Sequence, residues 1–251
     1  MTDTLVYLYA VADAADAQDH AISGVEGAPV RRVVADGLAA VVSSVDAERF
    51  GEEALRRSLE DLQWLEKVAR SHHEVVASLA RSGPVAPVRM ATVYLDDQNV
   101  RALLHDRASA LHRALDRVRG RSEWGVKAYA VPAPEADDRD EADGAKPGTS
   151  YLMRRRSERD RAAGGLRAAV EAADAVHRVI SDLADATRRY EPQDPRLSGR
   201  REQMVLNAAY LVDEAGAAAV RRLVEDRDVP ELRLELTGPW APYSFATLEE
   251  P

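Results

Sequence analysis

The sequence contains no cysteine, which excludes disulfide cross-links, thiolate metal sites and cysteine nucleophiles together. A reducing, cytoplasmic setting is the simplest expectation. No apolar run reaches the ~18 residues of a membrane-spanning helix. The first residues also lack the basic segment and small-residue cleavage site of an export signal, so no membrane partner is expected. Positive charge is in deficit: 34 Lys and Arg against 43 Asp and Glu give a net charge of -9. Affinity for a phosphate backbone comes from clustered cations that release counterions, so no nucleic-acid partner is expected. Arg154, Arg155 and Arg156 form a local basic run, but Glu158 and Asp160 lie within helical reach, and a solvated helix face is the reading it supports.

Catalytic signatures are missing as well. There is no phosphate-binding G-x-x-x-x-G-K-S/T, no G-x-G-x-x-G after a strand, no G-x-S-x-G and no H-E-x-x-H. Gly24 and Gly27 sit alone in a turn. Asp137, Asp138, Asp140 and Asp143 share acidity with a calcium loop, but their spacing fails and no glutamate closes the site. The cluster His72-His73-Glu74 has ligand chemistry, yet adjacent helical residues diverge by about 100 degrees and cannot easily share one ion. His72 falls in an apolar stripe, where a hydrogen-bonded, half-buried histidine is expected. His105 and His112, seven apart, suit one helix face but have no third ligand. No catalytic residue, cofactor or metal is assigned, and the chain is not expected to be an enzyme.

What is present is a chain of 251 residues with 45% hydrophobic and only 5% aromatic content, longer than one compact core usually is, so two domains are expected. Residues 4–11 (TLVYLYAV) read as a central strand covered on both faces. Strand-like residues 30–34 and 38–43 flank Asp36-Gly37, a tight hairpin turn. Leucines and valines recur every three or four positions over residues 52–79, predicting one long amphipathic helix stopped by Gly83-Pro84. Residues 85–94 read as extended edge chain broken by Pro87. A helix capped by Asp96 or Asp97 runs to Gly120.

After residue 120 the pattern predicts a strand at 123–131, a helix at 151–188, strands at 190–197 and 204–212, a helix at 213–226 and a strand at 231–237. That is the β-α-β-β-α-β order of ferredoxin-like domains. The helical stripe there is Leu166, Val170, Ala173, Val176, Ile180 and Leu183, crossing a helix-weakening Gly164-Gly165. Residues 132–149, rich in proline and acid, are expected to form a mobile loop. The expected fold class is therefore α+β, with an N-terminal domain over 1–120 and a ferredoxin-like domain over 121–251 that carries the C-terminal tail.

Two places are candidates for recognition. Arg89, among apolar neighbours after Pro87, would need a bidentate carboxylate if buried, and is either a structural ion-pair residue or an anion site. Pro239, Trp240, Tyr243 and Phe245 crowd aromatics and proline into the tail, which either folds over its own core or awaits a partner.

Several segments in order resemble one family. They are Tyr7-Leu8-Tyr9, Gly37-Leu38-Ala39-Ala40-Val41-Val42-Ser43, His73-Glu74-Val75-Val76, Pro87-Val88-Arg89, Glu123-Trp124-Gly125-Val126-Lys127, Gly148 with Tyr151-Leu152, Leu206-Asn207-Ala208-Ala209-Tyr210-Leu211-Val212 and Leu236-Thr237-Gly238-Pro239-Trp240. The chain is similar in these to the gas vesicle GvpF/GvpL family, over nearly its whole length. The resemblance implies an α+β domain followed by a ferredoxin-like one. It also implies a place in gas vesicle assembly, as an accessory or minor shell-associated protein contacting the shell protein GvpA and other accessory proteins. No catalytic residue transfers. A ferredoxin-like module binding a small ligand or RNA is the alternative class. Acidic charge and the lack of an aromatic RNA-binding motif oppose RNA. Nothing in the sequence sets the oligomeric state.

Overall fold

The computed structural model describes residues 4–16, 22–58, 60–131, 147–193, 202–226 and 229–246. They fall into two compact units, one drawn from Met1–Glu123 and Pro239–Pro251, the other from Trp124–Gly238.

The first unit is built on strand β1 (Thr4–Asp13), with β2 (Val30–Ala35), β3 (Leu38–Asp46), β4 (Val85–Pro87) and β5 (Val93–Tyr94). The order is β2-β3-β1-β4, with β5 also on β1, and every pairing is antiparallel. β1 is buried without interruption from Val6 to Ala12, as its continuous apolar run requires. Its register against β3 slips between Leu8 and Ala10. A bulge at this position re-aims Tyr9, the extra residue. The Asp36-Gly37 turn has positive φ at both residues, 50 and 75 degrees, the geometry a two-residue hairpin favours. Pro87 lies opposite Ala10 in the edge strand β4, where a missing donor costs the ladder nothing.

The helix expected over 52–79 is two helices, α2 (Glu52–Ser58) and α3 (Leu62–Ser82), after a short α1 (Ala47–Phe50). Asp61 divides them: its carboxylate accepts from the Gln63 and Trp64 amides as the N-cap of α3, a stronger local signal than the continuing leucine stripe. Leu62, counted within that stripe, is 78% exposed. The next expected helix also divides, into α4 (Asp97–Asp106) and α5 (Ala108–Val118), with Asp96 capping α4. Val100, Leu104, Leu111, Leu115 and Val118 are their buried residues.

The second unit runs β6 (Ser122–Ala130), α6 (Pro147–Ser181), β7 (Ala186–Arg189), β8 (Met204–Val212), α7 (Glu214–Asp226) and β9 (Leu232–Trp240). Its sheet order is β7-β8-β6-β9, the interleaved order of a split β-α-β-β-α-β unit. The expected strand at 190–197 is instead β7, four residues earlier, because the chain leaves α6 through the Leu183 and Ala184 turn and pairs Ala186 with Leu211. Ala169, Ala173, Val176 and Ile180 of α6 are buried on this core, while Val170 and Leu183 are 37% and 39% exposed. α6 runs through Gly164-Gly165 without interruption. Of the loop expected at 132–149, residues 132–146 lie outside the described residues, and Pro147 already opens α6.

The tail does not stay with the ferredoxin-like unit as expected. Over residues 239–246 it belongs to the first unit, because Ala241 is buried in the N-terminal core and Tyr243 packs against it.

Candidate functional site

The feature of the first unit that combines polarity, burial and aromatic surface lies where the tail meets α3. On β1, the ring centroids of Tyr7 and Tyr9 are 4.9 Å apart, and both side chains are fully buried. The imidazole of His72 stands 5.8 Å from Tyr7 and 5.6 Å from Tyr9, and Tyr243 of the tail lies 6.5 Å from it. Phe50 and Trp64 extend the series.

Hydrogen bonds fix the inner members. The Tyr7 hydroxyl accepts from the Ala91 amide at 3.0 Å and meets His72 Nδ1 at 3.1 Å. Which of the two donates in the contact with Nδ1 is set by the tautomer of the ring. Nε2 has no hydrogen-bond partner. His72 is 3% exposed. Burial pulls its pKa from 6.5 down to about 4; the Val88 backbone opposes this, and His73 adds a smaller lowering. At neutral pH the ring is uncharged. Burial pushes the Tyr7, Tyr9 and Tyr243 hydroxyls up, with the Glu123 charge adding to the effect at Tyr243. The group is a neutral, rigid cluster with no activated acid or base.

The residues singled out in the sequence separate into distinct environments. Pro239 is exposed. Trp240 is 44% exposed, with its ring against His73 in an edge-on contact at 5.4 Å. Tyr243 and Phe245 are partly buried, and the turn between Ala241 and Ala246 is closed by backbone bonds from Tyr243 to Ala241 and from Phe245 and Ala246 to Pro242. The tail thus covers core with one side and presents Trp240 with the other. Arg89 is exposed, one residue beyond buried Val88, and its carbonyl accepts from the Thr92 hydroxyl at 2.7 Å. The burial that would demand a dedicated carboxylate for Arg89 does not arise.

His72 and His73 point apart, one into the core and one toward Trp240. His105 and His112 both engage the β2–β3 turn: His105 Nδ1 is 2.9 Å from an Asp36 carboxylate oxygen, and His112 Nε2 is 3.1 Å from the Asp36 carbonyl. Among the described residues no group of three or more His, Asp or Glu is placed to hold a metal ion, and no helix is long and apolar enough to cross a membrane.

Sequence reasoning missed Glu123 and Ser244. Glu123, 8% exposed at the start of β6, accepts from the Ser244 amide at 2.8 Å and from its hydroxyl at 2.5 Å. An acidic residue opening an otherwise apolar strand was the available signal.

Comparison with known proteins covers the whole architecture. The family model described as "Gas vesicle synthesis protein GvpL/GvpF" matches residues 5–247. Gas vesicle protein L of Streptomyces sp. (strain CB03234) is 42% identical, over 99% of this chain and 95% of the relative. Gas vesicle protein F of the same strain is 31% identical, over 86% of this chain and 87% of the relative. The crystal structure of gas vesicle protein GvpF from Microcystis aeruginosa superposes with a TM-score of 0.65 at 18% identity, covering 97% of this chain and 99% of that one.

Proposed function

The chain belongs to the gas vesicle synthesis protein GvpL/GvpF family, and from that premise we propose that it binds the shell protein GvpA and other accessory proteins as vesicles assemble, without catalysing a reaction. The observation that carries this reading is the family match across residues 5–247, reinforced by 42% identity to a gas vesicle protein L over almost the full length of both chains. Identity to protein F of the same strain is lower, at 31%, which favours an L-type role.

The site chemistry agrees with holding a partner. The Tyr7, Tyr9 and His72 cluster is neutral, and the half-exposed Trp240 braced on His73 has the form of a binding anchor, since a large aromatic on a rigid seat loses little entropy on contact. Working in contact with the forming vesicle follows from the same reading.

The test has two parts. Deleting the gene in a vesicle-forming host should abolish or deform the vesicles, and normal vesicles after deletion would overturn the proposal. Trp240→Ala should then weaken capture of purified GvpA by roughly tenfold or more, as loss of an aromatic anchor does, while the thermal transition stays within a few degrees. Unchanged capture would remove Trp240 from the binding surface while leaving the assembly role to the deletion result.

A further inference from the structure

The tail crosses from a strand of the second unit into the first unit. Gly238, within β9, has a φ of 129 degrees, a conformation side-chain-bearing residues rarely adopt. Residues 240–246 then lie on the N-terminal core, with Ala241 3% and Ala246 0% exposed, but Trp240 44% exposed and Tyr243, Ser244 and Phe245 only partly covered. Both oxygens of Glu123 are engaged by Ser244, one by its amide and one by its hydroxyl. Next to Tyr243 lies His72, whose buried Nε2 has no partner while the tail is in place.

We infer that residues 240–246 are a releasable strap, fastened by Ser244 on Glu123, whose lifting uncovers the aromatic and imidazole seat formed with His72. A short segment whose Trp240, Tyr243, Ser244 and Phe245 are only partly covered opens locally at lower cost than the sheet beneath it. Charge-assisted bonds to a carboxylate are strong enough to hold such a segment. The inference does not depend on which protein the chain binds.

The absence of cysteine makes the test direct. Ala246→Cys places a single thiol on the buried side of the strap, and Ala173→Cys, on the core face of α6 at 0% exposure, serves as a reference in the second unit. In the full chain, Ser244→Ala should accelerate thiol labelling at position 246 by about tenfold, the effect of one charge-assisted hydrogen bond, and leave labelling at position 173 unchanged. Hydrogen exchange on the Ser244→Ala chain without any added cysteine gives an independent reading: exchange should quicken over residues 240–246 and around His72, with α6 and β8 unaltered. Unchanged rates at the strap, or equal acceleration at both reporters, would overturn the inference, the second outcome because it marks general loosening and not local release.

Discussion

Gly24 and Tyr9 offer a quantitative check on how the first unit is packed. Gly24 has an ordinary φ of -82 degrees, so alanine there meets no backbone strain. Space is the obstacle. A Cβ at Gly24 would fall 2.0 Å from the Tyr9 hydroxyl oxygen, 2.6 Å from Ser43 Oγ and 2.9 Å from Tyr9 Cζ. Tyr9 cannot swing away, because its ring is fully buried and its hydroxyl accepts from the Val25 amide at 2.8 Å while donating to Ser43 Oγ at 3.0 Å. Ser43 in turn donates to the Pro29 carbonyl at 2.9 Å. The methyl therefore displaces either the tyrosine or the turn around Val25, and both routes break this relay.

Overpacking of this kind costs ~1–3 kcal/mol, and a buried donor left without its acceptor adds ~1–3 kcal/mol. Gly24→Ala should therefore destabilise the N-terminal unit by about 3–4 kcal/mol. Tyr9→Phe alone strands the Val25 amide and should cost about 2 kcal/mol. In the double variant the oxygen at the closest clash is gone and the relay is lost only once. The pair should then be less damaging than the sum of the singles, by about 1–2 kcal/mol. Urea unfolding followed through Trp64, in a background with Trp124→Phe and Trp240→Phe, reads this unit. Additive losses to within ~0.5 kcal/mol, or a neutral Gly24→Ala, would refute the relay as the cause.

Other consequences can be measured on the same protein. His72 stays neutral in the folded chain down to about pH 4 whereas an unfolded histidine protonates near 6.5, so its contribution is whole above pH 6.5 and is lost as pH falls toward 4. That loss is roughly 3 kcal/mol, and His72→Gln should flatten the acid limb of a denaturation-versus-pH curve. Arg31 forks onto both Asp97 oxygens at 2.9 and 2.7 Å, with both side chains more than a third exposed, so Arg31→Ala should cost about 0.5–1 kcal/mol and less in ~1 M salt. Asp61→Ala should remove about 1 kcal/mol through the lost cap, and Asp61→Asn should restore most of it in the same urea assay.

The features legible in the sequence are those with a local cause. Asp36-Gly37 specified its own turn, and the apolar run of β1 matched a strand with no wet face. The β-α-β-β-α-β order of the second unit was also readable, although its second strand lies at Ala186–Arg189 and not at 190–197. Legibility failed where a distant contact decides. Leu59, Leu62 and Leu65 keep helical spacing through a break made by the Asp61 carboxylate, and the stripe alone does not reveal that Leu62 faces water. The segment Ala186-Thr187-Arg188-Arg189 is polar enough to resemble a helix end, and pairing with β8 makes it an edge strand. The alternation of Leu232, Leu234 and Leu236 continues toward Trp240 without a signal that the residues after Gly238 pack with a different core. Glu123 was visible as a motif residue, but its role depends on Ser244, 121 positions away.

The two units share a device that bears on the strap. In each, a long helix lies on a sheet whose inner strand carries a buried tyrosine: Tyr7 on β1 meets His72 of α3, and Tyr210 on β8 meets His177 of α6 at 2.7 Å. A helix has already spent its backbone donors and acceptors internally, so a phenol buried beneath it needs a side-chain partner. Neutral imidazole supplies an acceptor without the cost of a buried charge, and burial pushes both phenols up and both imidazoles down, which keeps all four groups uncharged at neutral pH. The units differ at the second nitrogen. His177 is half-buried and its ring borders solvent, whereas His72 is enclosed with Nε2 unpaired. The same tyrosine and histidine pairing is therefore half-open in one unit and enclosed in the other, and the enclosed copy is the one beside Tyr243 of the tail.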